Sequence, residues 1–304
     1  MSMKSNVHRY GWRVVLILAV LATGACDSDS SGSGADVHYY VSLGTSLSVG
    51  VQPNAGGTLG LTNEGYPDQL FTIIKPTFDA AGPPTRELQH VSFGCPGETM
   101  DTMMNGGICP YIEGSQLDAA VAFLTANPGQ VHLVTIDMGA NDVLDGGCIG
   151  PPAVDFNCIN GVVTQIATNL PVILTALRNA AGPGTPIVGM NYYNPFLSSW
   201  LLDVAGQVLA MDSATAIGTV NNEIGLSYTT AQMPVADVAA AFQSDDFVTM
   251  VSSSLPPPND VLPVNVANIC SMTYMCDLPP VGPDVHANAA GYGLIADTFA
   301  AVLP

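Results

Sequence analysis

The feature that most constrains the fold is an alternation of short apolar runs with longer segments of helical periodicity. The run VHYYVSLG at residues 37–44 predicts a strand, and YPDQLFTIIK at residues 66–75 predicts a helix because its apolar residues recur at helical spacing. Further strands are predicted at 88–94, 131–139, 186–193 and, as an edge strand, 233–238, and further helices at 115–127, 162–182, 213–228 and 288–303. Strands separated by helices of this length form βαβ units, so the predicted fold class is α/β with a mostly parallel sheet.

The segment 36–304 is predicted to be one domain, because it contains no linker, repeat or block of like charge. Apolar residues make up 48% of the chain and charged residues 10%, which favours a large core and excludes global disorder.

Small or polar residues stand at the ends of the predicted strands. Ser46 follows the first strand, Gly94 the second and Asn141 the third, and His286 precedes the last helix. Ligand sites of open parallel sheets lie beyond the carboxyl ends of the strands. We therefore expect these four residues, although far apart in the chain, to meet at one edge of the sheet.

Residues of these four types provide the parts of an acyl-transfer site. A serine hydroxyl becomes a nucleophile when a base such as histidine takes its proton, which predicts Ser46 as nucleophile and His286 as general base. The backbone N–H groups of Ser46 and Gly94 and the side-chain amide of Asn141 would donate hydrogen bonds to the oxyanion. The alternative interpretations are a helix N-cap for Ser46, a turn residue for Asn141 and a plain turn for Gly94.

The order and context of these residues resemble the SGNH hydrolases, also called the GDSL family of esterases and lipases. The matching blocks are LGTSLSVG, SFGCPGET, GAND and DVHANAAGY, and the resemblance covers residues 36–304. It implies a three-layer α/β/α sandwich, no cofactor, and hydrolysis of esters through an acyl-enzyme. The G-x-S-x-G elbow of the α/β-hydrolases is absent. Within the family, the cysteine pattern and the loop CPGETMDTM look most similar to secreted bacterial lipases and esterases.

Two positions depart from the family pattern. The residue before the nucleophile is usually aspartate and is Thr45 here, which predicts a looser serine loop. The aspartate three residues before the histidine is replaced by Pro283, and Asp284 stands two residues before His286. Asp284 is therefore a candidate to orient the imidazole, and a Ser–His dyad held by a backbone carbonyl is the alternative.

Residues 1–26 have the pattern of an export signal. Three basic residues, Lys4, Arg9 and Arg13, precede the apolar run VVLILAVLAT, which is too short to span a bilayer. The following ATGAC resembles a lipobox, which predicts Cys26 as a lipidated N-terminus and attachment to a membrane, although Thr23 is unusual in that motif. A plain cleaved signal is the alternative. Residues 27–35 have the composition of a flexible linker.

The cysteine count favours an oxidising compartment. Of seven cysteines, six remain if Cys26 carries lipid, and they allow fifteen pairings. We expect the nearest neighbours in the chain to pair: Cys95–Cys109, Cys148–Cys158 and Cys270–Cys276. A metal site is not predicted, because no CxxC occurs and the histidines after residue 26 are scattered.

The charge balance limits the substrate. Acidic residues number 25 and basic residues 6, a formal net charge of −19 with histidine neutral. Such a surface repels phosphates, which argues against nucleic acids and nucleotides and favours a neutral acyl or lipid-like ester. Two other functions are compatible with the sequence. One is a carbohydrate esterase that removes acetyl groups, and the other is a non-catalytic surface-binding protein on a decayed hydrolase fold.

The sequence also predicts roles for several histidine, methionine and aromatic residues. His38, His90 and His132 lie in predicted strands and are expected to be structural. The methionines of TMDTMMNGG are expected to pack in the core or to line an acyl pocket. Aromatic residues near 192–196 are expected to border the cleft, namely Tyr192, Tyr193 and Phe196.

Overall fold

A computed structural model describes residues 36–81 and 86–303 of the chain. The predicted export signal, the linker and Cys26 lie outside the described residues. The strands are, in chain order, β1 (Asp36–Gly44), β2 (Gln52–Pro53), β3 (Leu59–Gly60), β4 (Arg86–Ser92), β5 (Val131–Asp137), β6 (Ile187–Met190), β7 (Val235–Ala236), β8 (Met250–Ser252), β9 (Val261–Pro263), β10 (Thr273–Tyr274) and β11 (Asp284–Ala287).

The helices alternate with the longer strands. The α-helices are α1 (Tyr66–Asp79), α2 (Met100–Asn105), α3 (Gln116–Ala126), α4 (Ala140–Asp145), α5 (Phe156–Ala181), α6 (Val204–Thr230), α7 (Val238–Ala241), α8 (Val264–Met272) and α9 (Ala289–Ala300). Two 3-10 helices, Leu47–Val49 and Pro195–Leu201, follow β1 and β6.

The core is a sheet in the order β4-β1-β5-β6-β7, and each neighbouring pair of strands in it is parallel. The predicted α/β class with a parallel sheet is confirmed, and β7 is the predicted edge strand. The register aligns Gly44, at the end of β1, with Asp137, at the end of β5. The loops that follow these two strands therefore start side by side.

Helix ends follow the local capping signals. The Ser115 side chain accepts a hydrogen bond from the Asp118 N–H at 3.1 Å, which starts α3 where the sequence predicts it. Helix α5 starts six residues before the predicted position, because Asp155 caps its first turn. The helix continues through Pro171. By length and composition α5 could cross a membrane, but its apolar stripe, which includes Ile166, is buried in the core.

The three predicted disulfides are present, and each lies in or next to a segment that adjoins a candidate site residue. Cys95–Cys109 encloses α2 in the segment after β4, which contains Gly94. Cys148–Cys158 joins the segment after α4, which carries Asn141, to the first turn of α5. Cys270–Cys276 connects the end of α8 to the segment after β10, and β10 pairs with β11, which carries His286.

Candidate active site

One cavity at the carboxyl edge of the sheet brings together residues from distant parts of the chain. Ser46, Asn141 and His286 all line it. Gly94 is not among the lining residues. The remaining lining residues are mostly apolar or aromatic: Thr45, Leu47, Ala140, Val143, Leu144, Tyr192, Tyr193, Pro195, Phe196, Ile217 and Val285. The expectation that Tyr192, Tyr193 and Phe196 border the cleft agrees with this arrangement.

Ser46 stands at the N-terminus of the first 3-10 helix, but its side chain makes no capping hydrogen bond. Neighbouring hydroxyls make the local contacts instead. The Leu47 N–H donates to Thr45 Oγ1 at 3.4 Å, and Ser48 Oγ donates to the Thr45 carbonyl at 2.8 Å. The Ser46 hydroxyl, on a partly exposed residue, is therefore left for another use.

A buried carboxylate holds the residue before Ser46. Asp137 Oδ2 accepts hydrogen bonds from the Thr45 hydroxyl at 2.6 Å and from the Thr45 N–H at 3.2 Å. Its other oxygen accepts one from the Tyr66 hydroxyl at 3.1 Å. A Cβ on Gly44 would lie only 2.1 Å from this carboxylate, so the close approach requires glycine. Thr45 is thus anchored across the sheet, a contact that opposes the looser serine loop expected from this residue.

The environment of Asp137 favours its neutral form. Asp137 is fully buried, and this burial raises its pKa from 3.8 to about 7 even though hydrogen bonds from Thr45 and Tyr66 oppose the rise. No motif in the sequence marks this residue. The only available signal is a charged residue at the end of an otherwise apolar strand.

A second buried network joins the serine loop to the segment after β4. The side chain of Gln116 accepts a hydrogen bond from the Gly44 N–H at 2.7 Å and donates to the Gly44 carbonyl at 3.0 Å. It also donates to Glu98 Oε2 at 3.1 Å. The Gly44 carbonyl accepts a further bond from the Cys95 N–H at 3.0 Å, so β1 and this segment are joined by several hydrogen bonds.

His286 is oriented by a carboxylate two residues earlier. The Nδ1 atom of His286 lies 2.7 Å from Asp284 Oδ1, and the His286 N–H donates to the same oxygen at 3.0 Å. Burial alone would raise the pKa of Asp284, but the bonds and charge of His286 outweigh it and lower that pKa below its ordinary value. The contact on Nδ1 leaves Nε2 available to face another group.

The backbone beside His286 is fixed independently. The Tyr193 hydroxyl donates to the Val285 carbonyl at 2.7 Å, and the Tyr193 ring stacks on Phe242 with centroids 4.7 Å apart. Strand β11 is thus held from the β6 side as well as by its pairing with β10.

Asn141 lies in the first turn of α4 and is largely buried. Its Nδ2 donates to the Glu98 carbonyl at 2.9 Å, which leaves a second N–H on the same nitrogen. The neighbouring Asp142 accepts from the Met100 N–H with both oxygens at 3.3 Å. Asp142 therefore anchors the first residue of α2.

Gly94 lies behind the serine loop. A Cβ at this position would be 2.1 Å from Ser48 Oγ, and the Gly94 N–H points to Ser92 Oγ at 3.4 Å. Gly94 therefore allows close packing of two loops. Gly97 belongs to the same segment and directly precedes Glu98, whose carbonyl contacts Asn141. Within the described residues the Gly97 N–H makes no hydrogen bond.

Other predicted residues lie away from this cavity. His90 contacts Ser42 Oγ at 2.8 Å, and burial lowers the pKa of His90 to about 4, which fits a neutral structural role. Met100 and Met103 are fully buried in the hydrophobic core and do not line the cavity, so they pack rather than bind. Neither His38 nor His132 lines it.

One lining side chain has an unsatisfied polar atom. The Tyr192 hydroxyl is buried and has no hydrogen-bond partner within the described residues. Burial raises the pKa of this hydroxyl well above its ordinary value, so it remains protonated and able to donate.

Comparison with known proteins agrees with this fold and identifies the family. The family model described as GDSL-like Lipase/Acylhydrolase matches residues 40–299. Among solved structures, phospholipase A1 from Streptomyces albidoflavus NA297 is similar, with 17% identity, a TM-score of 0.51, and coverage of 87% of this chain and 98% of that one. An extracellular lipase from Streptomyces rimosus has 16% identity, a TM-score of 0.51, and coverage of 88% and 100% respectively. No curated protein matches the chain in sequence.

Proposed function

Because this chain belongs to the GDSL-like lipase/acylhydrolase family, and is therefore a hydrolase of esters, we propose that it acts through an acyl-enzyme on Ser46. The observation that supports this most strongly is the shared cavity, which Ser46, Asn141 and His286 line from three separate segments. These are the residue types that acyl transfer needs.

In the first half-reaction, Ser46 Oγ attacks the ester carbonyl carbon while His286 Nε2 takes the serine proton. The C–O bond to the alcohol then breaks, and the imidazolium gives the proton to the leaving oxygen. In the second half-reaction, water attacks the acyl-enzyme, its proton passes to His286, and the acid leaves as Ser46 recovers its proton.

Asp284 favours a triad over a dyad. The 2.7 Å contact to His286 Nδ1 fixes the tautomer that presents an unprotonated Nε2 to the serine. The carboxylate also stabilises the imidazolium that forms in each half-reaction.

The oxyanion requires donors close to Ser46. We assign this role to the Ser46 N–H and to the second N–H of Asn141 Nδ2. The sequence predicts the N–H of Gly94 as the third donor, but Gly94 packs against Ser48 behind the loop. The N–H of Gly97, which makes no hydrogen bond within the described residues, is the alternative third donor.

The shape and polarity of the cavity suit an acyl group. Leu47, Val143, Leu144, Phe196 and Ile217 offer an apolar wall beside the nucleophile. The acyl chain of a neutral or lipid-like ester would be buried there.

We place the enzyme outside the cytoplasm. Three disulfides are stable in an oxidising compartment, and the sequence of residues 1–26 has the form of an export signal. Attachment to a membrane through a lipidated Cys26 follows from the lipobox-like end of that signal.

The test compares Ser46→Ala with Ser48→Ala, its neighbour in the same loop. Ser46→Ala should lower turnover of a p-nitrophenyl ester by more than about a thousandfold and abolish labelling by a fluorophosphonate, with unchanged circular dichroism. Ser48→Ala should retain labelling, because the Ser48 hydroxyl is bonded to the Thr45 carbonyl and takes no part in the chemistry. Persistent labelling of Ser46→Ala would show that another serine is the nucleophile, whereas an unlabelled and inactive wild type would support the non-catalytic alternative.

A further inference from the structure

A second cavity, of about 240 Å³, lies at the carboxyl ends of β6 and β7. By the same measure the catalytic cavity holds about 60 Å³. Ile217 of α6 lines both cavities, and both take residues from the segment that follows β6. The carboxyl edge of a parallel sheet is the place where such folds bind ligands.

Asn221 connects the lining of the second cavity to the segment that lines the first. Its Oδ1 accepts from the Tyr192 N–H at 2.9 Å, and its Nδ2 donates to the Tyr192 carbonyl at 2.8 Å. Asn221 faces the second cavity, whereas Tyr192 lines the catalytic one. The two spaces are therefore adjacent, and the segment after β6 contributes to the lining of both.

The second cavity contains a buried polar atom with no partner. Ser244 is 6% exposed and lines the cavity, and its hydroxyl makes no hydrogen bond within the described residues. A buried hydroxyl without a partner destabilises the fold, so a bound group that satisfies it gains a directed hydrogen bond. The more exposed side chains of Asn222 and Asp245 add donors and acceptors at the rim.

The lining restricts the class of ligand. It has no lysine, arginine or histidine to bind an anion, and no aromatic ring to hold a quaternary ammonium. Of its two carboxylates, Asp237 already accepts hydrogen bonds from Asn191 Nδ2 at 2.7 Å and from the Ala240 N–H at 3.1 Å. Among the described residues, no group of three or more acidic, histidine or cysteine side chains could hold a metal ion.

Amides, carboxylates and a hydroxyl without a cation or an aromatic ring suit a neutral ligand that both donates and accepts hydrogen bonds. We propose that this polar cavity binds the alcohol portion of the substrate, a neutral polyhydroxylated group such as a sugar or a glycerol unit. The proposal rests on the proposed esterase function and specifies its substrate: an ester whose acyl group enters the apolar cavity while its polyol enters the polar one.

The chain offers a matched pair of variants for the test. Gly218 of α6 lines the polar cavity, and a Cβ added there meets no atom within 4 Å. Gly225 lies in the same helix, also has open space at its Cβ, and lines neither cavity. Gly218→Leu should fill the polar cavity without disturbing the fold. Gly225→Leu is the control, because it changes the helix propensity of α6 in the same way at a position outside both cavities.

The kinetic arm uses three acetyl esters: p-nitrophenyl acetate, an acetylated methyl xyloside and monoacetylglycerol. Gly218→Leu should lower kcat/KM about tenfold for at least one polyol ester while leaving p-nitrophenyl acetate within about twofold, and Gly225→Leu should change none. The ester that loses more identifies the sugar or the glycerol source. Equal effects on all three esters, or no effect on any, would overturn the proposal.

The binding arm separates this proposal from the catalytic one. Ser46→Ala protein is titrated with methyl xyloside and with glycerol, alone and combined with Gly218→Leu or Ser244→Ala. Binding that Gly218→Leu abolishes supports the polyol site even if the wild type hydrolyses no ester. Absence of binding of both polyols to Ser46→Ala protein, or calcium binding in their place, would refute the site even if esterase activity is present.

Discussion

Replacing Asp137 with asparagine should change how stability depends on pH. Asp137 is fully buried, and its pKa of about 7 in the fold stands well above the 3.8 of an exposed aspartate. Between these two values the folded chain holds a proton that the unfolded chain has released. The contribution of Asp137 to stability is therefore fully present below about pH 4 and is lost as pH rises to about 7.

The magnitude follows from the same linkage. Each pH unit in that window corresponds to about 1.4 kcal/mol, so the free energy of unfolding should lose about 4 kcal/mol from Asp137 between pH 4 and pH 7. Asparagine can accept the Thr45 hydrogen bonds but does not titrate. The difference in unfolding free energy between wild type and Asp137→Asn should therefore fall by about 4 kcal/mol across the window and stay constant above it.

Urea unfolding of both proteins with disulfides intact, at pH values from 4 to 8, measures this difference. Other titrating groups, such as His90, occur in both proteins and cancel in the subtraction. Thr45→Val removes the hydroxyl that donates to the Asp137 carboxylate and lowers its pKa. In this variant the contribution of Asp137 to stability should therefore persist to higher pH. Curves for wild type and Asp137→Asn that run parallel, or a difference that grows with pH, would refute the assignment of a neutral buried acid.

Two further predictions concern the catalytic residues. Asp284→Asn should lower kcat about 10²- to 10⁴-fold with little change in KM, because the imidazole loses the partner that fixes its tautomer, and unchanged kcat would favour a dyad. The Cys270→Ala/Cys276→Ala variant should lose about 2 kcal/mol of unfolding free energy and part of its esterase activity, since this disulfide supports the ribbon that carries His286. Denaturant titration and ester kinetics test both effects, and an unaltered kcat would show that the ribbon is held without the disulfide.

Much of the fold could be predicted from the sequence because the relevant signals are local. The alternation of strands and helices, the Ser115 cap and the β7 edge strand are all visible in short windows. The segment between α7 and β11 carries no clear local signal, because its two-stranded ribbons and α8 are short and depend on contacts with the rest of the chain.

The candidate site could be predicted to the level of residue type and sheet edge. Parallel strands place their following loops together, so the positions of Ser46 and Asn141 at one cavity follow from chain order. His286 reaches the same cavity from the separate β10–β11 ribbon, which the order of the parallel strands does not place. Gly94 shows the limit of this reasoning: it lies in the expected segment, but packing against Ser48 turns it away from the cavity. The end of a strand predicts which region of the fold a residue occupies, but it does not predict the direction in which the backbone N–H of that residue points.

Local sequence patterns in this chain are sufficient to predict the α/β fold class, the edge of the sheet that carries the site, and the types of residue found there. They are sufficient because hydrophobic periodicity and strand direction can be read from a few neighbouring residues. The partners of those residues depend on packing between distant segments. Thr45 meets a carboxylate 92 positions away, and Ser244 faces a polar space that no motif marks. Side chains from separate loops come into contact only in the folded chain, because their burial and hydrogen bonds depend on how distant segments pack together.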